Sequence, residues 1–260
     1  MIPKRLVFTI HFVLFSLFFS CVYAQSKPDK TTHIYILMGQ SNMAGRGVIT
    51  DEYRAQKHER VIMLNKSNQW VPAAHPLHFD KPKAVGVGPG LSFGIEMAKA
   101  DTNVIIGLVP CAVGGTPIRK WLPGAYDDVT KTHPYDDALA RIKEAMKSGV
   151  IKGVIWHQGE GDSNADSARL YLGKITELIS RVRDEIGNPE LPFVAGELGR
   201  YRDNYDNINK QLVNLPKQVP FTAVASSEGL WHKGDGTHFD SRSADELGKR
   251  YAVEMRRLQQ

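Results

Sequence analysis

Short apolar runs without polar alternation return along nearly the whole chain, and this recurrence limits its fold more than any other feature. They occupy residues 34–38, 104–109, 150–156, 192–196 and 221–225. Rich in Val, Ile or Phe, they read as strands buried on both faces. Between them lie segments of helical character at 91–100, 135–148, 167–186, 204–213 and 242–258. In the third, Leu170, Ile175, Leu178, Ile179, Val182 and Ile186 form one stripe, with Lys174, Arg181, Arg183 and Asp184 largely off it. Strands alternating with helices imply an α/β fold, here a three-layer α/β/α sandwich around a mostly parallel, flavodoxin-like sheet with right-handed crossovers. The stretch 50–89 is irregular and broken by His75-Pro76 and Lys81-Pro82, so loops and short strands are expected over one sheet edge.

The first residues differ in composition. Lys4 and Arg5 precede an apolar run over 6–19 free of acidic and basic residues, and Val22-Tyr23-Ala24 offers a signal-peptidase site. The run falls short of the about 20 apolar residues that span a bilayer. Residues 1–24 are therefore expected to be a signal peptide. Residues 25–260 would form one domain exported to the periplasm, the cell surface or the medium, without stable membrane insertion after cleavage. A retained signal anchor and lipid attachment at Cys21 are the alternatives. Losing Lys4 and Arg5 lowers the formal charge from +5 to +3. That balance, with no basic stripe, argues against a nucleic-acid partner. Cys111 would remain as a single cysteine, unable to form an intramolecular disulfide, so the core must stabilise the domain. Roughly 235 residues are enough for this. Nothing in the sequence signals an oligomeric state.

In open α/β sheets the site lies beyond the carboxyl ends of the strands. Three polar clusters follow strands, Gly39-Gln40-Ser41-Asn42, Gly114-Gly115-Thr116 and His157-Gln158-Gly159-Glu160. A fourth, Gly234-Asp235-Gly236-Thr237-His238, precedes the last helix. Ser41, directly after a strand, is either a helix cap or a nucleophile, and as a nucleophile it needs a base and donors for the oxyanion. His238 could be that base, with Asp235 three residues earlier fixing its tautomer, or with Glu160 doing so instead. Gln158 offers an amide to an oxyanion, and Gly115 offers a backbone N–H unobstructed by a Cβ. Each of these residues has a purely structural alternative as a cap, a turn or core. Gly86-Val87-Gly88-Pro89-Gly90 matches no phosphate-loop pattern, and neither zinc nor calcium spacing is present. No cofactor or metal is called for.

Taken together, Gly39-Gln40-Ser41-Asn42-Met43-Ala44-Gly45, Val113-Gly114-Gly115-Thr116, Trp156-His157-Gln158-Gly159-Glu160 and Asp235-Gly236-Thr237-His238 occur in a familiar order. The chain resembles the carbohydrate esterase family 6 acetylxylan esterases and the related sialate O-acetylesterase-like proteins, a branch of the SGNH hydrolases. The resemblance spans roughly residues 33–251. It implies a serine esterase acting on O-acetylated carbohydrate, acetylated xylan or xylo-oligosaccharides first, with Ser41 as nucleophile and His238 as base. It also implies Asp235 ahead of Glu160 as the acid, oxyanion donors at Ser41, Gly115 and Gln158, and Gln40 at the substrate side. A sialate O-acetylesterase is the rival substrate reading; Arg46 and Arg119 could grip its carboxylate, though a structural or solvent-facing place is the expectation for both. A non-catalytic carbohydrate-binding protein is the rival class. Trp70, Trp121 and Trp231 are each either a sugar platform or core.

Overall fold

The computed structural model describes residues 31–260; residues 1–24, expected to be a signal peptide, lie outside the described residues. Seven strands appear in chain order as β1 (Thr32–Gly39), β2 (Val61–Leu64), β3 (Trp70–Pro72), β4 (Ile105–Pro110), β5 (Val150–His157), β6 (Phe193–Gly196) and β7 (Thr222–Ala225). Among them run α1 (Ser41–Ala44), α2 (Asp51–Ala55), α3 (Gly90–Ala100), α4 (Pro134–Ala145), α5 (Ala165–Arg169), α6 (Tyr171–Ile186), α7 (Asp206–Leu212), α8 (Leu215–Gln218) and α9 (Ser241–Leu258). The sheet order is β3-β2-β4-β1-β5-β6-β7, parallel throughout except for the antiparallel β2–β3 edge.

Both faces of the sheet are buried, as the unbroken apolar runs require. Ile34, Ile36 and Met38 of β1 point into one core layer with Ile142 of α4, Leu178 of α6 and Ile208 of α7. Tyr35 and Leu37 point into the other with Phe93 of α3 and Leu247 and Tyr251 of α9. Alternate side chains of one strand thus anchor opposite helical layers.

The five sequence-assigned strands lie where expected within a residue or two, and the irregular stretch supplies α2 and the edge strands β2 and β3. One element differs. The segment expected as a single helix over 167–186 is two, α5 and α6, broken at Leu170. Leu170 is exposed and off the buried stripe, while Tyr171 turns inward and its hydroxyl donates to the Gln158 carbonyl at 2.6 Å.

Strands β2, β3 and β4 lie on one side of β1 in the sheet order, and β5, β6 and β7 lie on the other. The chain reverses its direction of growth at β1, which opens a crevice beyond its carboxyl end. Ser41 stands there, two residues past the strand.

Candidate active site

Gly39 ends β1 at φ +130°, and a Cβ on it would lie 2.1 Å from the His157 carbonyl oxygen. Only glycine lets β1 run that close to the end of β5. Gln40 then donates its N–H to the same carbonyl at 2.8 Å, and the chain turns into the four-residue α1, with Ser41 at its first position. The first N–H groups of a helix have no intrahelical acceptor. Among the described residues nothing takes the N–H of Ser41 or that of Gly115, so both are free to meet a ligand oxygen.

His238 Nε2 lies 3.0 Å from Ser41 Oγ, and its Nδ1 lies 2.7 Å from Asp235 Oδ2. The other oxygen of Asp235 accepts the N–H groups of His238 at 2.8 Å and Thr237 at 2.9 Å. Burial alone would raise the Asp235 carboxyl, but those N–H groups and the imidazole hold it well below the usual carboxylate range. Burial lowers the His238 imidazole, and Asp235 offsets only part of that effect. Burial thus favours the neutral ring, and in the tautomer that carries Nδ1–H the proton is directed at the carboxylate and the Nε2 lone pair at Ser41.

Glu160 does not reach the histidine. It is buried beneath the nucleophile turn, where its two oxygens accept Gln40 Nε2 and Asn42 Nδ2, the latter at 2.6 Å. Burial pushes its carboxyl up to about 7. Gln40 accordingly faces Glu160 rather than the crevice mouth, and it too is buried. Gln158 is a second correction. It is fully buried, and its Nε2 donates to Asp162 Oδ2 at 2.7 Å and to the Thr116 carbonyl at 3.3 Å. Asp162 also accepts the Ile118 N–H at 2.8 Å, so this pair braces the turn that carries Gly115. An oxyanion would find the Gln158 amide already committed.

Gly114 and Gly115 follow β4. A Cβ on Gly114 would meet Arg46 Nη2 at 2.3 Å and Ser41 Cβ at 3.4 Å, which brings this turn against the serine. Gly115 is exposed, at φ +90°. Arg46 is buried and paired with Asp80 at 2.8 Å, and the same Asp80 oxygen accepts the Gly114 N–H at 2.7 Å. Burial alone would raise the Asp80 carboxyl, but the Arg46 guanidinium keeps it below its ordinary range. Arg46 is thus withdrawn from any substrate carboxylate, whereas Arg119 is exposed. No group of three or more His, Cys, Asp or Glu side chains suited to a metal ion occurs among the described residues.

The family described as carbohydrate esterase, sialic acid-specific acetylesterase, matches residues 31–257. An Arabidopsis thaliana protein named "Probable carbohydrate esterase" is 30% identical over 240 residues, covering 85% of this chain and 89% of that protein. This chain belongs to that family of carbohydrate esterases. The X-ray structure from the same Arabidopsis locus matches with a TM-score of 0.77 at 30% identity, over 86% of the esterase and 98% of that chain. The crystal structure of NanS shares the fold at a TM-score of 0.69 and 17% identity, over 89% of the esterase and 98% of NanS.

Sequence reasoning missed three residues of the esterase's site region. Asn42 was visible inside the Gly-Gln-Ser-Asn block, but its partners lie 118 and 195 residues away. Asp162 sits two residues past the Trp156-His157-Gln158-Gly159-Glu160 block. Asp80 lies in the irregular stretch, in no motif at all. Of the three tryptophans, Trp121 is core, Trp70 packs partly buried against it, and Trp231 is exposed.

Proposed function

We propose that this esterase removes O-acetyl groups from sugars through an acyl-enzyme on Ser41, with His238 as the base and Asp235 as the residue that orients it. The continuous Ser41···His238···Asp235 chain at 3.0 and 2.7 Å carries this reading. Neutral His238 takes the Ser41 proton as Oγ attacks the acetyl carbonyl. The N–H groups of Ser41 and Gly115 receive the oxyanion. Collapse expels the sugar oxygen, which takes its proton from His238 and leaves acetyl-Ser41. Water, deprotonated by the same imidazole, then releases acetate and frees the serine. The leader-like residues 1–24 support an exported enzyme. Among the described residues no helix is long and apolar enough to cross a membrane.

Acetylated xylan is the neutral substrate expected from the sequence, but two exposed cations favour an acidic sugar, such as an O-acetylated sialic acid. Lys81 Nζ lies 3.6 Å from where a Cβ on Gly115 would stand, and Arg202 Nε lies 3.8 Å from the corresponding point on Gly236. Acetate release from an O-acetylated sialic acid and from acetylated xylo-oligosaccharides decides between them. The acidic substrate should be preferred, and Lys81→Ala with Arg202→Ala should raise its KM while leaving the neutral substrate unaffected. Preference for the xylan-derived substrate would reject the acidic-sugar reading. Release from neither would reject sugar deacetylation.

A further inference from the structure

Ser41 and His238 stand 197 residues apart in sequence, on different segments, yet meet at 3.0 Å. Something must hold the two segments in register. We propose that Asn42 is a positioning residue that fixes the His238 loop against the nucleophile turn, with Glu160 setting the direction of its amide. The inference rests on the Ser41–His238 reading above.

Asn42 is buried, and its side chain reaches both neighbours of the histidine. Its Nδ2 donates to the Thr237 carbonyl at 3.1 Å, and its Oδ1 accepts the Phe239 N–H at 3.1 Å. These backbone groups flank His238 on either side, so one amide spans the residue that carries the base. Turned over, the amide would set N–H₂ against N–H and oxygen against oxygen, which costs both bonds.

Glu160 excludes that inversion. Its Oε1 accepts Asn42 Nδ2 at 2.6 Å, and its other oxygen is held by Gln40. Among the described residues no cation pairs with the carboxyl. His157 Nε2 lies 4.0 Å from Oε1, but burial lowers that imidazole to about 3, leaving it neutral. Asp162, Tyr171, Tyr201, Tyr205 and Tyr251 also couple to Glu160, and none carries positive charge. The amides of residues 40 and 42, on either side of the serine, are therefore its hydrogen-bonding side chains. A buried carboxyl that contacts neither the serine nor the histidine has this orienting task to account for it.

The test measures kcat and KM on a small aryl acetate for the wild type, Ser41→Ala, Asn42→Ala, Asn42→Asp and the double variant Asn42→Asp/Glu160→Gln. Misplacing a catalytic pair on the order of 1 Å costs about 10²-fold. Both Asn42 variants should lose about that factor in kcat with KM little changed. In the double variant the new amide at 160 can donate to the new carboxylate at 42, which still accepts the Phe239 N–H. It should regain about tenfold in kcat over Asn42→Asp, as expected for coupled neighbours. A purely structural role would not give recovery in kcat alone. Asn42→Ala introduces no buried charge and keeps the test decisive should the aspartate variant fail to fold. Wild-type kcat in Asn42→Ala, or a double variant no faster than Asn42→Asp, would overturn the positioning role. Activity surviving in Ser41→Ala would instead overturn the nucleophile assignment on which it rests.

Discussion

Two carboxyls near Ser41 have opposite environments, and this difference underlies the tasks proposed for them. Asp235 is half-exposed, accepts two backbone N–H groups and touches the imidazole, so it stays ionised. Glu160 is buried among amides, and its carboxyl rises to about 7. Asp235→Asn should therefore cost about 10⁴-fold in kcat, the loss typical of a triad acid, while Glu160→Gln costs far less. Steady-state kinetics on one acetyl ester measures both, and the reverse ranking would exchange the assignments. Burial lowers the His238 pKa below 6.5, so the neutral base persists to lower pH than for a free imidazole. The acid limb of kcat/KM should fall as pH drops through a value below 6.5, and a limb centred above 6.5 would contradict this environment. Ser41, Asp235 and His238 were legible because each sits in a short local motif. Gln158 was misread because its task depends on Asp162, and a partner's location is a property of the fold.

At the scale of elements, α9 positions the histidine loop from its carboxyl side. Asp240 caps it by accepting the Ser243 N–H at 2.7 Å, a bond worth about 1 kcal/mol at a helix start. The helix packs against α3 through Gly248, where a Cβ would lie 2.1 Å from Ser92 Oγ and 2.2 Å from the Pro89 carbonyl oxygen. Gly248→Ala should push the helices apart and destabilise the fold by about 1–3 kcal/mol, the cost of overpacking. A lower denaturant midpoint with an unchanged slope would show it, and an unchanged midpoint would mean that the α3–α9 contact yields without cost. Both helices were expected from the sequence, as the segments of helical character at 91–100 and 242–258. The break between α5 and α6 was not, because Leu170 matches the stripe by spacing and only tertiary contacts choose Tyr171 for the interior. β2 and β3 were expected only as short strands over an edge, since runs of four and three residues carry little periodic signal.

On the scale of the molecule, the parallel sheet places the ends of β1, β4 and β5 side by side, and the loop before α9 closes over them. Four motifs from distant parts of the chain therefore meet at the crevice beyond β1. That convergence was legible in the sequence, because alternating strands and helices dictate which strand ends face the same way. The brace between Arg46 and Asp80 was not, since it joins the nucleophile turn to a stretch without motif or period. The most direct test of the account is acetate release from an O-acetylated sugar by the wild type and by Ser41→Ala, each shown to be folded. The account predicts release by the wild type and its loss in the variant. Equal release by both proteins would contradict Ser41 as the nucleophile and with it the reading of the site.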